Sequence, residues 1–402
     1  MLGFCEGARA DSGGIGLIGV PGIHAALAAR GHRDVLAIAG DPMPSARPIL
    51  TARLEDVFDA PAEATAGAVS FGAIGRWCFS PGLFPAASRV MNQVDFVTLH
   101  SLFSYPVLAG YLLARRHNKP YGLWPHGVLA PVQRHVGRHK KAAYSALLSR
   151  RILESASVLF FSAEGERDEA RELGLSAPSL VIPHGIDTKQ FALLPPSGTF
   201  RRKYLQDHSG PLVLSLGRLN AKKGIDLLIG AMARVLQEMP GARLVIAGGA
   251  DPPGFAEDVK AWLVAAGITD ATVISGILDE HDKRAAFADC DVFVMASIAE
   301  NFGFSMFEAM ACRRAVVCSD TINYAGEVRR RRAGLVVPRT PEAMADAILA
   351  LLRDANLRAA LGANGFELAC TYSWASCGER LETAIQCILS KQPFPSSLNP
   401  AA

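Results

Sequence analysis

The stretch ENFGFSMFEAMA, residues 300–311, decides the fold of the second half of the chain. It places Glu300 and Glu308 eight positions apart, with a Phe-Gly-Phe turn between them and a helix-forming run behind. A glycine in the turn lets the backbone approach a bound group closely, and the N–H groups of a starting helix favour an anion. A carboxylate can accept hydrogen bonds from both hydroxyls of a diol. The stretch therefore favours a ligand that combines hydroxyls with phosphate, such as a nucleotide sugar.

Two glutamates at this spacing are also typical of a solvated helix face. The neighbours of Glu308 argue against that alternative, because Met306, Phe307, Ala309 and Met310 flank it. A carboxylate among apolar side chains costs free energy unless a partner satisfies it. We therefore interpret Glu300 and Glu308 as binding residues.

Two further segments precede this stretch in the chain. SLGRL at 215–219 is followed by KKGID at 222–226, and PHGID occupies 183–187 with Phe191 behind it. With the E-x7-E spacing of Glu300 and Glu308, these segments resemble the retaining, GT-B-fold glycosyltransferases of group 1, in order and spacing, over roughly residues 95–385. The resemblance implies an α/β fold of the GT-B class, with two Rossmann-like, doubly wound domains facing a cleft.

The resemblance also implies a role for each residue of the stretch. Glu300 would bind hydroxyls of the donor sugar, and Glu308 would bind the ribose of the nucleotide. Backbone N–H groups of Phe302, Gly303 and Phe304 would point at the sugar and the diphosphate. The family recognises the base largely through backbone at a strand end, which here lies around Leu278.

Arg218 and Lys223 suit the chemistry of a departing diphosphate. Its negative charge grows as the sugar leaves, and fixed cations stabilise that charge more in the transition state than in the ground state. Arginine can clamp phosphate oxygens in pairs, whereas lysine acts as a point charge. A solvated loop pair is the alternative. Lys222 is the expected bystander, because the family's lysine directly precedes the glycine.

No metal site or bound cofactor is predicted. Asp289-Cys290-Asp291 imitates the metal-binding D-x-D pattern of a different glycosyltransferase fold. It ends a predicted helix and starts a predicted strand, where capping is the expected role. We therefore predict a metal-independent reaction in which protein cations replace the divalent ion.

Two features of the first half carry alternatives. His126 follows a strand in the turn WPHG, where a lone histidine is often structural; relatives place a donor- or acceptor-contacting residue at this turn.

The glycine loop Gly13-Gly14 is expected to face the cleft near phosphate. The run 14–19 matches G-x-G-x-x-G with Asp34 twenty residues on, as in dinucleotide sites. That fingerprint needs a buried strand before it, and residues 1–12 lack the apolar run of one. An NAD-dependent oxidoreductase and a nucleotide-sugar epimerase of GT-B architecture are the rival functions.

Length and composition favour a folded protein of two domains. The chain has 402 residues, half of them hydrophobic, and a net charge of +3, too small to argue for nucleic acid. No apolar run reaches the ~18–20 residues of a membrane helix, and the N-terminus does not resemble a signal peptide. Eight scattered cysteines without a C-x-x-C pair predict reduced thiols in a cytoplasmic protein.

Alternating apolar strands and amphipathic helices set the predicted domain limits. The expected parts are an acceptor-side domain over 1–190, a linker over 191–211, a nucleotide-sugar domain over 212–372, a helix over 373–390 that packs back on the first domain, and a disordered tail over 391–402.

A basic run lies on a predicted helix of the first domain, and a solvated helix face is its default interpretation. The sharper hypothesis is contact with an anionic membrane surface, or with the diphosphate of a lipid-linked acceptor. The run comprises Arg134, Arg138, His139, Lys140, Lys141, Arg150 and Arg151. The function predicted from the whole chain is transfer of a hexose from UDP- or GDP-hexose to a glycan or lipid-linked glycan, as in bacterial polysaccharide or lipopolysaccharide assembly.

Overall fold

The computed structural model divides the chain into two compact units. Unit 1 comprises Met1–Gly185 and Trp374–Ala402, and unit 2 comprises Ile186–Ser373. The residues that the structure describes are 1–6, 15–40, 54, 58, 66–75, 77–129 and 148–398.

Unit 1 contains a sheet of seven parallel strands within its described residues, in the order β3-β2-β1-β4-β5-β6-β7. Most residues of these strands are apolar, which suits parallel strands buried on both faces. The strands are β1 (Leu2–Glu6), β2 (Asp34–Ala39), β3 (Ala66–Phe71), β4 (Val97–His100), β5 (Tyr121–Trp124), β6 (Val158–Phe161) and β7 (Ser179–Val181). The α-helices in its described residues up to 185 are α1 (Val20–Ala28), α2 (Leu83–Val90), α3 (Tyr105–Arg116), α4 (Arg150–Glu154) and α5 (Glu164–Arg171).

The first strand corrects our expectation for residues 1–12. β1 is an interior strand of the sheet, pairs with β2 and β4, and buries Leu2 and Phe4 completely. It escaped prediction because it is short, contains Gly3 and ends in Glu6, so its apolar pattern is weak.

Unit 2 contains a second parallel sheet, in the order β10-β9-β8-β11-β12-β13. Its strands are β8 (Leu212–Leu216), β9 (Arg243–Ala247), β10 (Thr272–Gly276), β11 (Val292–Met295), β12 (Ala315–Ser319) and β13 (Leu335–Val337). Its helices are α6 (Thr199–Tyr204), α7 (Ile225–Glu238), α8 (Phe255–Ala265), α9 (Glu280–Asp289), α10 (Phe304–Ala311), α11 (Ala325–Arg330), α12 (Pro341–Arg353) and α13 (Ala355–Thr371).

The stretch predicted as a linker, 191–211, belongs to unit 2. Its helix α6 buries Phe200 at 1% exposure. The Asp289 carboxylate accepts hydrogen bonds from the N–H groups of Gly198, Phe200 and Arg201, at 2.6, 2.8 and 3.0 Å. A carboxylate from another helix therefore caps α6, and the boundary between the units falls at residue 185 rather than 190.

The last helix, α14 (Trp374–Ser390), belongs to unit 1, where Cys377 and Leu381 share a core with Ile23 and Leu27 of α1. The expectation of a disordered tail over 391–402 is wrong up to residue 398. Leu398 is 3% exposed, and the Arg380 guanidinium donates to its carbonyl at 3.0 Å. Residues 399–402 lie outside the described part of the chain.

Strand order reverses between β1 and β4 in unit 1 and between β8 and β11 in unit 2. In doubly wound sheets, ligands bind beside the carboxyl ends of the strands at such points. Within the described ranges, no helix combines the length and the apolar character that crossing a bilayer requires.

Candidate functional site

The loops that follow β8 and β11 in unit 2 enclose a pocket. The first loop contributes Gly217, Arg218 and Lys223 to its lining, and the second contributes Ala296 and Ser297. Both loops stand at the reversal of strand order. Segments far apart in sequence therefore meet because their strands are neighbours, paired Val213 to Val292.

Lys223 and Glu300 form an ion pair beside this pocket. The Lys223 ammonium contacts Glu300 Oε1, and the Ser297 hydroxyl donates to the same oxygen at 2.8 Å. Burial acts to raise the pKa of Glu300, but the Lys223 ammonium and the Ser297 hydroxyl outweigh it and bring the pKa below its ordinary value. Glu300 is therefore held as a carboxylate in an enclosed site.

A close backbone approach at Gly224 fixes this pair. Gly224 has φ +61°, and a Cβ there would lie 2.3 Å from the carbonyl oxygen of Ala296. The Ile298 N–H donates to the Lys222 carbonyl at 2.7 Å. The loop that carries Lys223 is thus fastened to the end of β11, and only glycine fits at the crossing.

Arg218 lines the same pocket with more freedom. Its guanidinium donates to Asp251 at 2.7 Å, and the two side chains are 40% and 36% exposed. An ion pair this exposed contributes little to stability. The guanidinium can therefore exchange Asp251 for an anionic ligand at small cost.

Glu308 is buried on α10 and is not among the pocket-lining residues. Its carboxylate accepts from the Lys283 ammonium of α9 at 3.0 Å, and Lys283 also contacts Glu280 at 2.9 Å. Burial acts to lower the pKa of Lys283, but the two carboxylates outweigh it and raise the pKa. Sequence reasoning missed Lys283, because α9 reads as an ordinary polar helix.

The Phe-Gly-Phe turn places its aromatic rings in the core. Phe302 stacks on Phe307 at 4.5 Å between centroids, and both contact Tyr324 and Tyr372 edge-on. Gly303, at φ +81°, precedes α10. The Phe302 and Phe304 side chains are buried, so the turn can offer a ligand chiefly its backbone.

Leu278 lies just beyond β10 and is half-buried. The N–H of Gly248, at the end of β9, donates to the Gly276 carbonyl at 2.8 Å. Leu278 therefore belongs to the same carboxyl edge of the sheet as the pocket.

His126 lies in unit 1, two residues after β5, and the unit 2 pocket does not include it. Its Nε2 contacts His100 Nδ1 at 3.1 Å, and its ring stacks on Trp124 at 5.8 Å and 13°. His184 is fully buried in the same stack, and burial lowers its pKa to about 3. Sequence reasoning missed His100, because no local pattern joins these histidines.

Several predicted residues lie outside the described part of the chain. They are Gly13, Gly14, Arg134, Arg138, His139, Lys140 and Lys141. Arg150 and Arg151 begin α4.

The dinucleotide fingerprint does not match the structure. Asp34 opens β2 at its amino end, whereas dinucleotide sites need their acidic residue at the carboxyl edge. Gly16 and Gly19 lie in a helical turn, 15–19, rather than in an open loop. The NAD-dependent alternative therefore has no support from these positions.

The carboxylates of Asp289 and Asp291 serve the backbone. Asp289 caps α6, as described above, and Asp291 accepts from the Leu212 N–H at 2.8 Å. A second acidic group, Asp279 with His281 and Asp282, lies at the start of α9, where Asp279 accepts from the Asp282 N–H at 2.7 Å. Metal independence stays a prediction.

Comparison with known sequences places the chain among glycosyltransferases. The family model described as glycosyl transferases group 1 matches residues 197–368, and the model described as glycosyltransferase family 4 matches residues 22–190. The alpha-maltose-1-phosphate synthase of Mycolicibacterium smegmatis is 28% identical over 320 residues, which cover 74% of this chain and 81% of the relative.

Comparison with solved structures supports the same fold. A sucrose-phosphate synthase from Thermosynechococcus elongatus superimposes with a TM-score of 0.76 at 20% identity, covering 97% of this chain and 99% of its own. An Anabaena protein, HepE, in complex with UDP and glucose superimposes with a TM-score of 0.76 at 16% identity, covering 96% and 99%. The predicted α/β fold of the GT-B class, with two Rossmann-like units, is confirmed.

Proposed function

The chain belongs to the group 1 glycosyltransferases, and we propose that it is a retaining, metal-independent hexosyltransferase. The donor would be a UDP- or GDP-hexose, and the acceptor a hydroxyl of a glycan or lipid-linked glycan. A structural relative binds UDP and glucose, which supports a nucleoside diphosphate sugar as donor.

The contact between Lys223 and Glu300, beside Arg218, carries this proposal. As the bond between the anomeric carbon and the phosphate oxygen breaks, its electron pair stays on the diphosphate. In this proposal, Lys223 and Arg218 would stabilise that growing charge, without reorganisation at the moment of reaction. The Glu300 carboxylate, held ionised, faces the positive charge that develops on the sugar.

Retention follows in this scheme from attack on the face that the diphosphate leaves. The acceptor oxygen forms a bond to the anomeric carbon, and its proton passes to the departing phosphate oxygen. Glu308, fixed by Lys283, would accept hydrogen bonds from the ribose hydroxyls, and the backbone of 302–304 would contact the diphosphate.

We place the reaction in the cytoplasm. Cys290, Cys312, Cys318 and Cys377 are buried free thiols, as a reducing compartment predicts. Association with an anionic membrane surface remains a separate hypothesis, since most of the basic run behind it lies outside the described residues.

A donor screen with paired lysine variants tests the proposal. Wild type is incubated with UDP- and GDP-sugars, with and without EDTA, and release of nucleoside diphosphate and the product anomer are measured. Lys223→Ala should lower kcat by about 10²–10³-fold, whereas Lys222→Ala should stay close to wild type. Equal activity of the two variants would contradict the role of Lys223. A product of inverted configuration would contradict retention, and loss of activity in EDTA would contradict metal independence. Binding of NAD, titrated by fluorescence, would favour the oxidoreductase instead.

A further inference from the structure

Four polar side chains form a continuous hydrogen-bonded chain through unit 1. Asp34 Oδ1 lies 2.9 Å from His24 Nδ1, and His24 Nε2 lies 3.0 Å from His100 Nε2. His100 Nδ1 then lies 3.1 Å from His126 Nε2. The chain begins at the amino end of β2, crosses through α1 and reaches the carboxyl ends of β4 and β5.

The interior of this chain is enclosed. Asp34, His24 and His100 are 1%, 5% and 1% exposed, whereas His126 is partly exposed. His126 Nδ1 has no hydrogen-bond partner among the described residues. The chain therefore joins a buried carboxylate to one ring nitrogen that is open to a ligand.

The order of donors and acceptors follows from the chemistry of each group. An ionised carboxylate only accepts, and a neutral imidazole has one N–H and one lone pair. His24 Nδ1–H must then donate to Asp34, which leaves the lone pair of His24 on Nε2. His100 Nε2–H donates to that lone pair, and His126 Nε2–H donates to His100 Nδ1. These proton positions, assigned from the network, leave a lone pair on His126 Nδ1.

A proton added to His24 would reverse every bond beyond it and turn His126 Nδ1 into a donor. Burial disfavours the charged form of an imidazole. Burial, and then the neighbouring imidazoles, lower the pKa of both His100 and His126 well below the ordinary value. Neutral rings are therefore the expected state of His100 and His126 at neutral pH.

Residues packed around these four side chains hold them in this geometry. Gly3 of β1 leaves room for His24, since a Cβ there would lie 2.3 Å from His24 Cε1. Trp124 stacks on His126 at an interplanar angle of 13° and restricts its rotation.

We propose that Asp34, His24 and His100 are positioning residues that hold His126 as its Nε2–H tautomer, so that its Nδ1 lone pair accepts a hydrogen bond from a substrate hydroxyl. The identity of that hydroxyl, on a sugar, rests on the proposed function, whereas the tautomer does not. A lone pair suits a hydroxyl and repels a phosphate oxygen. This edge of unit 1 is therefore selective for the uncharged part of the ligand.

Nitrogen NMR tests the tautomers without substrate. In ¹⁵N-histidine-labelled protein at pH 7.5, with signals assigned through single histidine variants, His24 should be protonated on Nδ1. His100 and His126 should be protonated on Nε2. A His126 signal from the Nδ1–H tautomer, or an imidazolium at His24, would overturn the proposal.

Asp34→Asn tests whether the carboxylate sets the direction. An amide N–H can donate to His24, so the chain can reverse, and an Nδ1–H signal of His126 should appear. Asp95→Asn, an exposed aspartate before β4, is the matched control and should keep the wild-type tautomers. An unchanged His126 in Asp34→Asn would overturn the role of Asp34.

Kinetics separate this inference from the proposed function. Asp34→Asn should lower kcat/KM for transfer about tenfold, the value of one lost hydrogen bond, with unchanged affinity for the nucleoside diphosphate alone. His126→Phe keeps an aromatic ring on Trp124 and should lower kcat/KM by the same factor. This variant replaces Asp34→Asn in the test if Asp34→Asn does not fold. Wild-type kinetics in His126→Phe would overturn the hydroxyl contact. A wild-type protein that transfers no sugar would refute the proposed function and leave the tautomer result standing.

Discussion

The carboxyl ends of the two sheets carry polar groups of different kinds. In unit 2, Lys223 contacts Glu300 and Arg218 contacts Asp251, so full charges are held in pairs. In unit 1, His100 and His126 are hydrogen-bonded to each other, and burial lowers the pKa of both rings well below the ordinary value. Paired charges can be rearranged around an anion, whereas a neutral lone pair suits a hydroxyl. The two units therefore carry different chemistry at the same edge of similar sheets.

The largest expected difference between the two units is the loss of stability at acidic pH. Burial lowers the pKa of His100, His126 and His184, so the unfolded chain binds protons near pH 6.5 that the folded chain does not. Their contribution to stability is complete above about pH 6.5 and is lost as the pH falls, by about 2 kcal/mol for each ring at pH 5. The pKa of Glu300 is depressed, so its contribution persists above about pH 4.3 and is lost only below that value.

Urea unfolding at pH 7 and pH 5 measures this effect. In Trp262→Phe the remaining tryptophans, Trp77, Trp124 and Trp374, all lie in unit 1, so fluorescence reports that unit. The midpoint should fall at pH 5, and His184→Phe should remove about a third of the fall. Equal midpoints at both pH values would show that these rings do not titrate as their burial requires.

The next largest effect is expected at Glu308. Glu308→Ala leaves the Lys283 ammonium buried without its enclosed partner, which costs about 3–5 kcal/mol of unfolding free energy. Glu280→Ala removes the exposed partner of the same ammonium and should cost about 1 kcal/mol or less. Urea unfolding gives both values, and the Lys283→Ala and Glu308→Ala double variant gives the coupling. Equal losses in the two single variants would refute the special position of Glu308.

The smallest effect sharpens the role of Arg218. Arg218→Ala should raise the donor KM about tenfold through loss of one charge-assisted contact to phosphate, with a change in stability of about 1 kcal/mol or less. Asp251→Ala frees the guanidinium and should leave the donor KM equal or lower. If Asp251→Ala raised the KM as much as Arg218→Ala, the ion pair rather than the free guanidinium would be the working unit.

The sequence predicted best where a functional residue follows a recognisable strand. Lys223 and Glu300 each follow an apolar strand, and parallel strands bring their carboxyl ends to one edge, so the contact between the two was foreseeable. Strands β8, β9 and β11 were predictable from their Val- and Leu-rich runs. Strand β1 was not predictable, because Gly3 interrupts its apolar pattern. A side chain at this position would overlap the His24 ring.

The rest depends on contacts between elements that no sequence pattern brings together. Lys283 reaches Glu308 across 25 residues and His24 reaches His100 across 76, with no periodic pattern to join them. The tail over 391–398 looked disordered from its prolines and serines, yet Leu398 and Arg380 fix it. Such contacts appear only when the sheet order is known.

The return of α14 to unit 1 has a consequence for synthesis. Unit 2 is one uninterrupted segment and can close its core while the ribosome still holds the remainder. The core that packs against α1 in unit 1 is complete only after Cys377 and Leu381 have been synthesised. The half of the molecule that is made first is therefore the half that matures last.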